Sequence, residues 1–158
     1  MMEVVRLNEL TVRRAHVDDV DNIQHIEDRA FSTHDRFSTR RFRYLLSSPN
    51  CCTVLCFQGE VAIGYGMALK SRLRNGAVKG RVYSLAVAPA WQRHGVGKLL
   101  MDHLERWLAG SHAGFITLEA QGKNRRAIQF YRKRGYQVFE RLPGYYASGD
   151  GLRLRRAI

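Results

Sequence analysis

Gly95 and Gly97, flanked by Arg93 and Lys98, follow an apolar run that stops at Pro89 and precede a leucine-rich stretch. Glycine lets an anion approach the backbone closely, and the N–H groups of a first helical turn have no acceptor within the helix. The helix dipole draws negative charge to the same point. This spacing predicts a phosphate or pyrophosphate seated at 95–98; the plainer reading is that the glycines only shape the loop before a surface helix. Two nucleotide-binding patterns are excluded. Leu100 stands where the third glycine of G-x-G-x-x-G would fall, and no G-x-x-x-x-G-K-[ST] occurs. The second group of interest is Glu119, the only acid between Glu105 and Glu140, at the end of an apolar run. It is a candidate general base, acting directly or through water, or else a carboxylate paired with a neighbouring Arg or Lys.

The elements that position these groups can be read from hydrophobic spacing. Alternation predicts strands at 10–14, 52–57, 61–69, 82–87, 115–120, 136–142 and 152–157, with Gln58-Gly59-Glu60 as a tight turn. Helical spacing predicts a helix capped by Asp18 or Asp19 and carrying Val20, Ile23, Ile26, Ala30 and Phe31. A second opens at Ser38 or Thr39 and stops before Pro49, a third covers 95–108, and a fourth runs over 124–133. Strand pairs early and strand–helix–strand units late predict a mixed α/β sheet. With 158 residues, three prolines and no linker-like run, the chain is expected to be one domain, 1–158.

Charge is unevenly placed. Residues 1–60 hold 8 basic and 9 acidic side chains, whereas 61–158 hold 18 and 5. Such a split points to an anionic partner: a nucleotide-bearing ligand, nucleic acid or an acidic protein. No apolar run approaches the length of a membrane span, and the first residues do not read as a secretory signal. Cys51, Cys52 and Cys56 form a poor disulfide framework and have no histidine at metal spacing, so buried reduced thiols and a cytoplasmic location are expected. Cys52, Val54 and Cys56 alternate as one face of a half-buried strand. No metal site is suggested by the six scattered histidines.

The run Leu85-Ala86-Val87-x-Pro89, then Gln92-x-x-Gly95-x-Gly97, resembles the acetyl-coenzyme A signature of the GCN5-related N-acetyltransferases (GNAT). Leu118-Glu119, Asn124, and Ala127-Ile128-x-Phe130-Tyr131-x-x-x-Gly135-Tyr136 follow in the family's order. Gly144-Tyr145-Tyr146 brings the chain nearest to the RimI-like protein N-terminal acetyltransferases. The resemblance covers nearly the whole chain. It implies a mostly antiparallel central sheet with helices on both faces, acetyl-CoA as cosubstrate and no metal. It further implies direct attack by a primary amine in a ternary complex, most naturally a peptide or protein N-terminal α-amine.

By that resemblance, Leu85, Ala86, Val87, Gln92, Arg93, His94, Gly95, Val96, Gly97, Lys98, Asn124 and Tyr131 bind the cofactor. The Val87 N–H serves as oxyanion donor, and Tyr131 is the acid for the leaving thiolate. Asn124 caps its helix or bonds the pantetheine arm, and both roles can coexist. Phe31, Tyr145 and Tyr146 are expected at the acceptor, the tyrosines in a loop containing Pro143 and Gly144. Two departures stand out. Glu119 is followed by Ala120-Gln121 where RimI-like chains usually have Val-Arg, and the first helix runs into Phe31-Ser32-Thr33-His34-Asp35-Arg36 in place of a Pro-Trp type segment.

Alternatives from other classes are a GNAT acting on a small-molecule amine and a basic nucleic-acid-binding module. The net charge of +12 repels polycationic acceptors, and no nucleic-acid motif is present, so nucleic acid is expected to bind only nonspecifically. CoA carries about four negative charges, fewer than the surplus. The remainder favours an acidic or ribosome-associated acceptor, with no membrane partner and the chain acting as a monomer or homodimer.

Overall fold

The computed structural model of the protein describes residues 9–31 and 38–158. Seven strands form one sheet: β1 (Leu10–Arg14), β2 (Cys51–Gln58), β3 (Val61–Arg72), β4 (Val78–Val87), β5 (Ala113–Gln121), β6 (Gln137–Tyr146) and β7 (Gly149–Ala157). Their spatial order is β1-β2-β3-β4-β5-β7-β6. Every neighbouring pair is antiparallel except β4 and β5. That one parallel pair requires a crossover, supplied by α3 (Val96–Gly110). The other helices are α1 (Val20–Ala30), α2 (Thr39–Leu46) and α4 (Arg125–Lys133).

Both faces of the sheet are covered, as the mixed α/β expectation requires. Val96, Leu100, Met101, Leu104 and Leu108 of α3 pack with Tyr131 of α4 on one face. Val20, Ile23 and Ile26 of α1 join Phe42 and Leu45 of α2 on the other. Strand β2 lies between the two layers. Cys52, Val54 and Cys56 face α3, while Cys51, Leu55 and Phe57 face α1. The expected half-buried strand is therefore corrected to one buried on both sides, and the three thiols are free and buried.

Local signals act as their chemistry dictates, with two exceptions. The Ser38 side chain accepts from the Arg41 N–H and opens α2; Asn124 accepts from the Ala127 N–H and opens α4. Asp19 makes no cap bond to α1. Its carboxylate instead accepts from the His16 N–H at 2.8 Å and from both terminal nitrogens of Arg13 at 2.8 Å. Tyr145 and Tyr146 lie in strand β6, not in a loop. Pro143 is tolerated there because β6 is the sheet edge, and register shifts on β6 absorb it.

Candidate active site

The parallel pair comes apart. β4 and β5 are in register only from Val78 opposite Ala113 to Val82 opposite Leu118, yet β4 continues to Val87 and β5 to Gln121. A register shift against β3, with Met67 opposite Ser84 but Ala68 opposite Val82, leaves Tyr83 as an extra residue on β4. Such a bulge bends the strand. β5 meanwhile stays paired with β7 as far as Gln121. The result is a V-shaped gap in the sheet, opening towards the start of α3.

On the α3 side of the gap lies a cavity of about 490 Å³. Gly95 caps α3 with φ 81°, and Arg93 has φ 67°. A non-glycine residue held in the left-handed region costs energy and marks a loop that is over-determined by its surroundings. The first helical bond runs from the Leu99 N–H to the Gly95 carbonyl, so the N–H groups of Val96, Gly97 and Lys98 are the helix's unbonded donors. The Ala88 N–H donates to the Ile63 carbonyl. By strand alternation, the Val87 N–H points the other way, into the gap. The Val87 carbonyl shares that side and accepts from Gln92 Nε2 at 3.3 Å. Leu85, Val87, Gln92, Arg93, Gly95, Val96, Gly97, Lys98, Asn124 and Tyr131 all line this cavity. Ala86 and His94 do not. Ala86 is buried in the α1 layer, and the His94 ring lies edge-on to Trp91 at 5.8 Å.

On the α1 side lies a second cavity of about 420 Å³, bounded by Phe31, Tyr83, Ser84, Glu119, Lys123 and Tyr146 among others. The two cavities share Leu85, Asn124, Ala127 and Tyr131. Tyr131 thus stands where they meet. It is buried against Phe130 and Tyr136, with ring centroids at 5.3 and 6.0 Å, and burial pushes its hydroxyl up to about 12. It keeps its proton across the ordinary pH range. Glu119 has a side chain only 7% exposed, held by Arg81 Nε and Arg153 Nε at 3.2 Å each. The paired reading of this carboxylate is therefore realised, inside the cavity wall. Tyr145 is set back from the lining; its hydroxyl accepts from Arg81 at 3.3 Å.

Other contributors were not assigned to the site from the sequence. Trp91, Arg126 and Phe130 line the α3-side cavity, and the Phe130 ring lies 3.5 Å from where a Cβ on Gly97 would sit. Arg81 and Arg153 reach Glu119 from strands whose registers no local pattern discloses. Tyr65, on β3, donates to Glu27 Oε1 at 2.7 Å and touches Ser84 Oγ at 2.7 Å. A tyrosine in an apolar strand and a glutamate in an amphipathic helix carry no mutual signal. The segment 32–37, where the sequence departs from the RimI-like pattern, lies outside the described residues.

A sheet split beside a glycine-led helix, with one cavity on each face, defines the GNAT class of α/β acetyltransferase fold. The chain belongs to the acetyltransferase (GNAT) family, whose model matches residues 18–136. It is 33% identical over 110 residues to the N-terminal acetyltransferase B complex catalytic subunit naa20 of Schizosaccharomyces pombe, a match covering 68% of this chain and 61% of that protein. The chain therefore spans less than two thirds of that relative's length. It is 29% identical over 141 residues to the N-alpha-acetyltransferase RimI of Mycobacterium tuberculosis, covering 87% of this chain and 86% of the relative. Among solved structures, a chain of the NatC complex bound to Gag peptide and CoA superposes with a TM-score of 0.86 at 22% identity, over 95% of this chain and 99% of that one. Among the described residues no helix is long and apolar enough to cross a membrane, and no group of three or more His, Cys, Asp or Glu could hold a metal.

Proposed function

We propose that the chain is a single N-acetyltransferase domain that transfers acetyl from acetyl-CoA to the α-amine of a peptide or protein, the RimI-like activity. The observation carrying this reading is the meeting of two cavities at Tyr131, one built for an anion and the other lined by aromatic and polar side chains. The N–H groups of Val96, Gly97 and Lys98 fit a pyrophosphate, and Arg93 and Arg126 fit the remaining phosphate charge. When bound, the cosubstrate supplies an activated thioester. The Val87 N–H faces the gap and stabilises the carbonyl oxygen as it gains charge. Tyr131, protonated at working pH, donates to the departing sulfur. Glu119 receives a proton from the amine nitrogen, directly or through water, and its two guanidinium partners hold it in one place.

Phe31 and Tyr146 line the acceptor cavity, and Tyr145 supports it through Arg81. A polycationic acceptor is disfavoured by Lys123 in the wall of that cavity and by Arg81 and Arg153 on Glu119, which favours acidic or ribosome-associated peptides over polyamines. The buried thiols suit the reducing cytoplasm. The test is CoA release from acetyl-CoA with a library of peptides varied at their first two residues. Turnover is expected with a subset, and Glu119→Gln combined with Tyr131→Phe is expected to lower kcat at least 100-fold (about 10²–10⁴ for each proton-transfer role). Undiminished turnover in that double variant removes both assignments.

A further inference from the structure

An ammonium that becomes an amide loses two protons. One must leave before the nitrogen can attack, and the second leaves once the bond to carbon forms. The site described so far provides one acceptor, Glu119, whose oxygens already take hydrogen bonds from Arg81 and Arg153. A second carboxylate lies behind the wall of the same cavity. Glu27, on α1, is completely buried, and Tyr65 donates to its Oε1 at 2.7 Å. The other contact of the Tyr65 hydroxyl is Ser84 Oγ, also at 2.7 Å. Each hydroxyl has a single proton. Tyr65 spends its own on Glu27, so Ser84 must be the donor to Tyr65. The remaining lone pairs of Ser84 are then its acceptors, and Ser84 lines the acceptor cavity beside Glu119 and Tyr131.

We infer that Ser84, Tyr65 and Glu27 form a proton relay that takes the first proton from the acceptor's ammonium, leaving Glu119 for the second. The inference rests on the acetyltransferase reading and extends it. The step balances without a further reactant. An N–H bond of the ammonium breaks as its proton passes to Ser84 Oγ. The serine proton passes to Tyr65, and the tyrosine proton to the Glu27 carboxylate, which becomes a carboxylic acid. The nitrogen keeps the electron pair and attacks. As the C–N bond forms and the C–S bond breaks, the second proton goes to Glu119 and the sulfur takes the Tyr131 proton. Glu119 then reprotonates Tyr131, and the proton on Glu27 returns to solvent by the same path. One proton is released per turnover, as the reaction requires.

Ser84 is the catalytic residue of this relay, and Tyr65 and Glu27 act through it. Among the described residues the Tyr65 hydroxyl is influenced by the titratable Glu27 from α1 and Tyr83 from β4 and by the Ser84 hydroxyl; from α2, the apolar Phe42 ring packs on the Tyr65 ring with centroids 5.7 Å apart. The prediction is specific to the relay. An α-amine has a pKa near 7.7–8, so one pH unit lower only about a tenth is neutral without help. The test measures kcat/KM for a reactive peptide at saturating acetyl-CoA, by CoA release, between pH 6 and 9.5. Ser84→Ala is expected to lose about tenfold near pH 6.8 and to approach the wild-type value above pH 9, where the amine is already neutral. Tyr65→Phe should show the same slope, Ser84→Thr should restore the wild-type profile, and Glu119→Gln should lose activity at every pH. A Ser84→Ala loss that is equal at all pH values, or no loss, overturns the relay. If Tyr65→Phe fails to fold, the contrast between Ser84→Ala and Ser84→Thr decides alone. Absence of CoA release by the wild-type protein with every peptide refutes the acetyltransferase reading instead, and the relay with it.

Discussion

Gly64 seats the start of α3, the proposed phosphate cradle, on the sheet, and replacing it with alanine should damage both stability and cofactor binding. It lies on β3 beneath the first turn of α3, opposite Val87. A Cβ there would sit 2.8 Å from Val96 Cγ1, 3.2 Å from Leu100 Cδ1 and 3.3 Å from the Ala86 carbonyl oxygen. The carbonyl belongs to a paired strand and cannot retreat. Val96 is β-branched and locked to one rotamer in a helix, so the start of α3 must rise from the sheet. Overpacking of this kind costs about 1–3 kcal/mol, which for a chain this size lowers Tm by roughly 2–12 °C at about 2–4 °C per kcal/mol. The same displacement moves the N–H groups of Val96, Gly97 and Lys98, so the KM for acetyl-CoA should rise severalfold. Thermal melting and initial-rate kinetics at saturating peptide measure the two effects. Gly110→Ala is the control: it ends the same helix with nothing within 4 Å of its Cβ, and should raise stability by a few tenths of a kcal/mol, up to about 1. A Gly64→Ala protein that melts within a degree of wild type, with an unchanged KM, would show that α3 is not seated as tightly as these distances require.

Three further outcomes follow from the same structure. Arg126 lines the α3-side cavity and has no carboxylate partner among the described residues, so Arg126→Ala should raise the KM for acetyl-CoA about fivefold, roughly 1 kcal/mol for an exposed charged contact, with kcat little changed in steady-state assays. The hydrogen bonds from Arg13 hold the Asp19 carboxyl down to about 2. Its stabilisation is present above the ordinary carboxylate range and is lost as pH falls through about 2, so acid melts of Arg13→Gln should show a shallower drop between pH 4 and 2 than wild type. Burial raises all three thiols, Cys56 to about 11. A thiol-disulfide reagent at pH 8 should therefore label none of them in the native protein and all three in denaturant.

The parts of the fold that were legible are those written in consecutive residues. Ser38 and Asn124 cap their helices because a short polar side chain before an amphipathic run has few other uses. Gly95 and Gly97 announced a helix start, and both line the α3-side cavity. What stayed hidden depends on register. β4 begins at Val78, four residues ahead of the alternation at 82–87, because Lys79-Gly80-Arg81 carries no apolar signal. Gly80 is nevertheless required there, since a Cβ would meet Leu108 at 2.9 Å. The bulge at Tyr83 arises from the mismatch of β3 and β4, not from any residue in either. Without that bulge, neither the gap nor the meeting of the two cavities can be foreseen.

Charge is where local reading and three-dimensional placement differ most. All five acids of residues 61–158 are ion-paired: Asp102, Glu105, Glu119, Glu140 and Asp150. They engage six cations, Arg81, Lys98, Arg134, Arg141, Arg153 and Arg156. That leaves twelve of the 18 cations in this half without a carboxylate among the described residues. The pairs are not spread evenly. Glu105 binds both Arg134 and Arg156, fixing the end of α4 and strand β7 to α3, and Glu119 binds Arg81 and Arg153 across β5. Acids are thus spent where elements must be joined. Unpaired cations remain on the β3–β4 hairpin (Lys70, Arg72, Arg74 and Lys79), on the exposed side of α4 (Arg125, Arg132 and Lys133), and at the α3-side cavity (Arg93 and Arg126). Of these, only the last pair lines the cavity proposed to take phosphate. The basicity of the sequence therefore divides into an ion-paired framework, a small share lining the α3-side cavity, and a larger share on the hairpin and α4 outside that cavity.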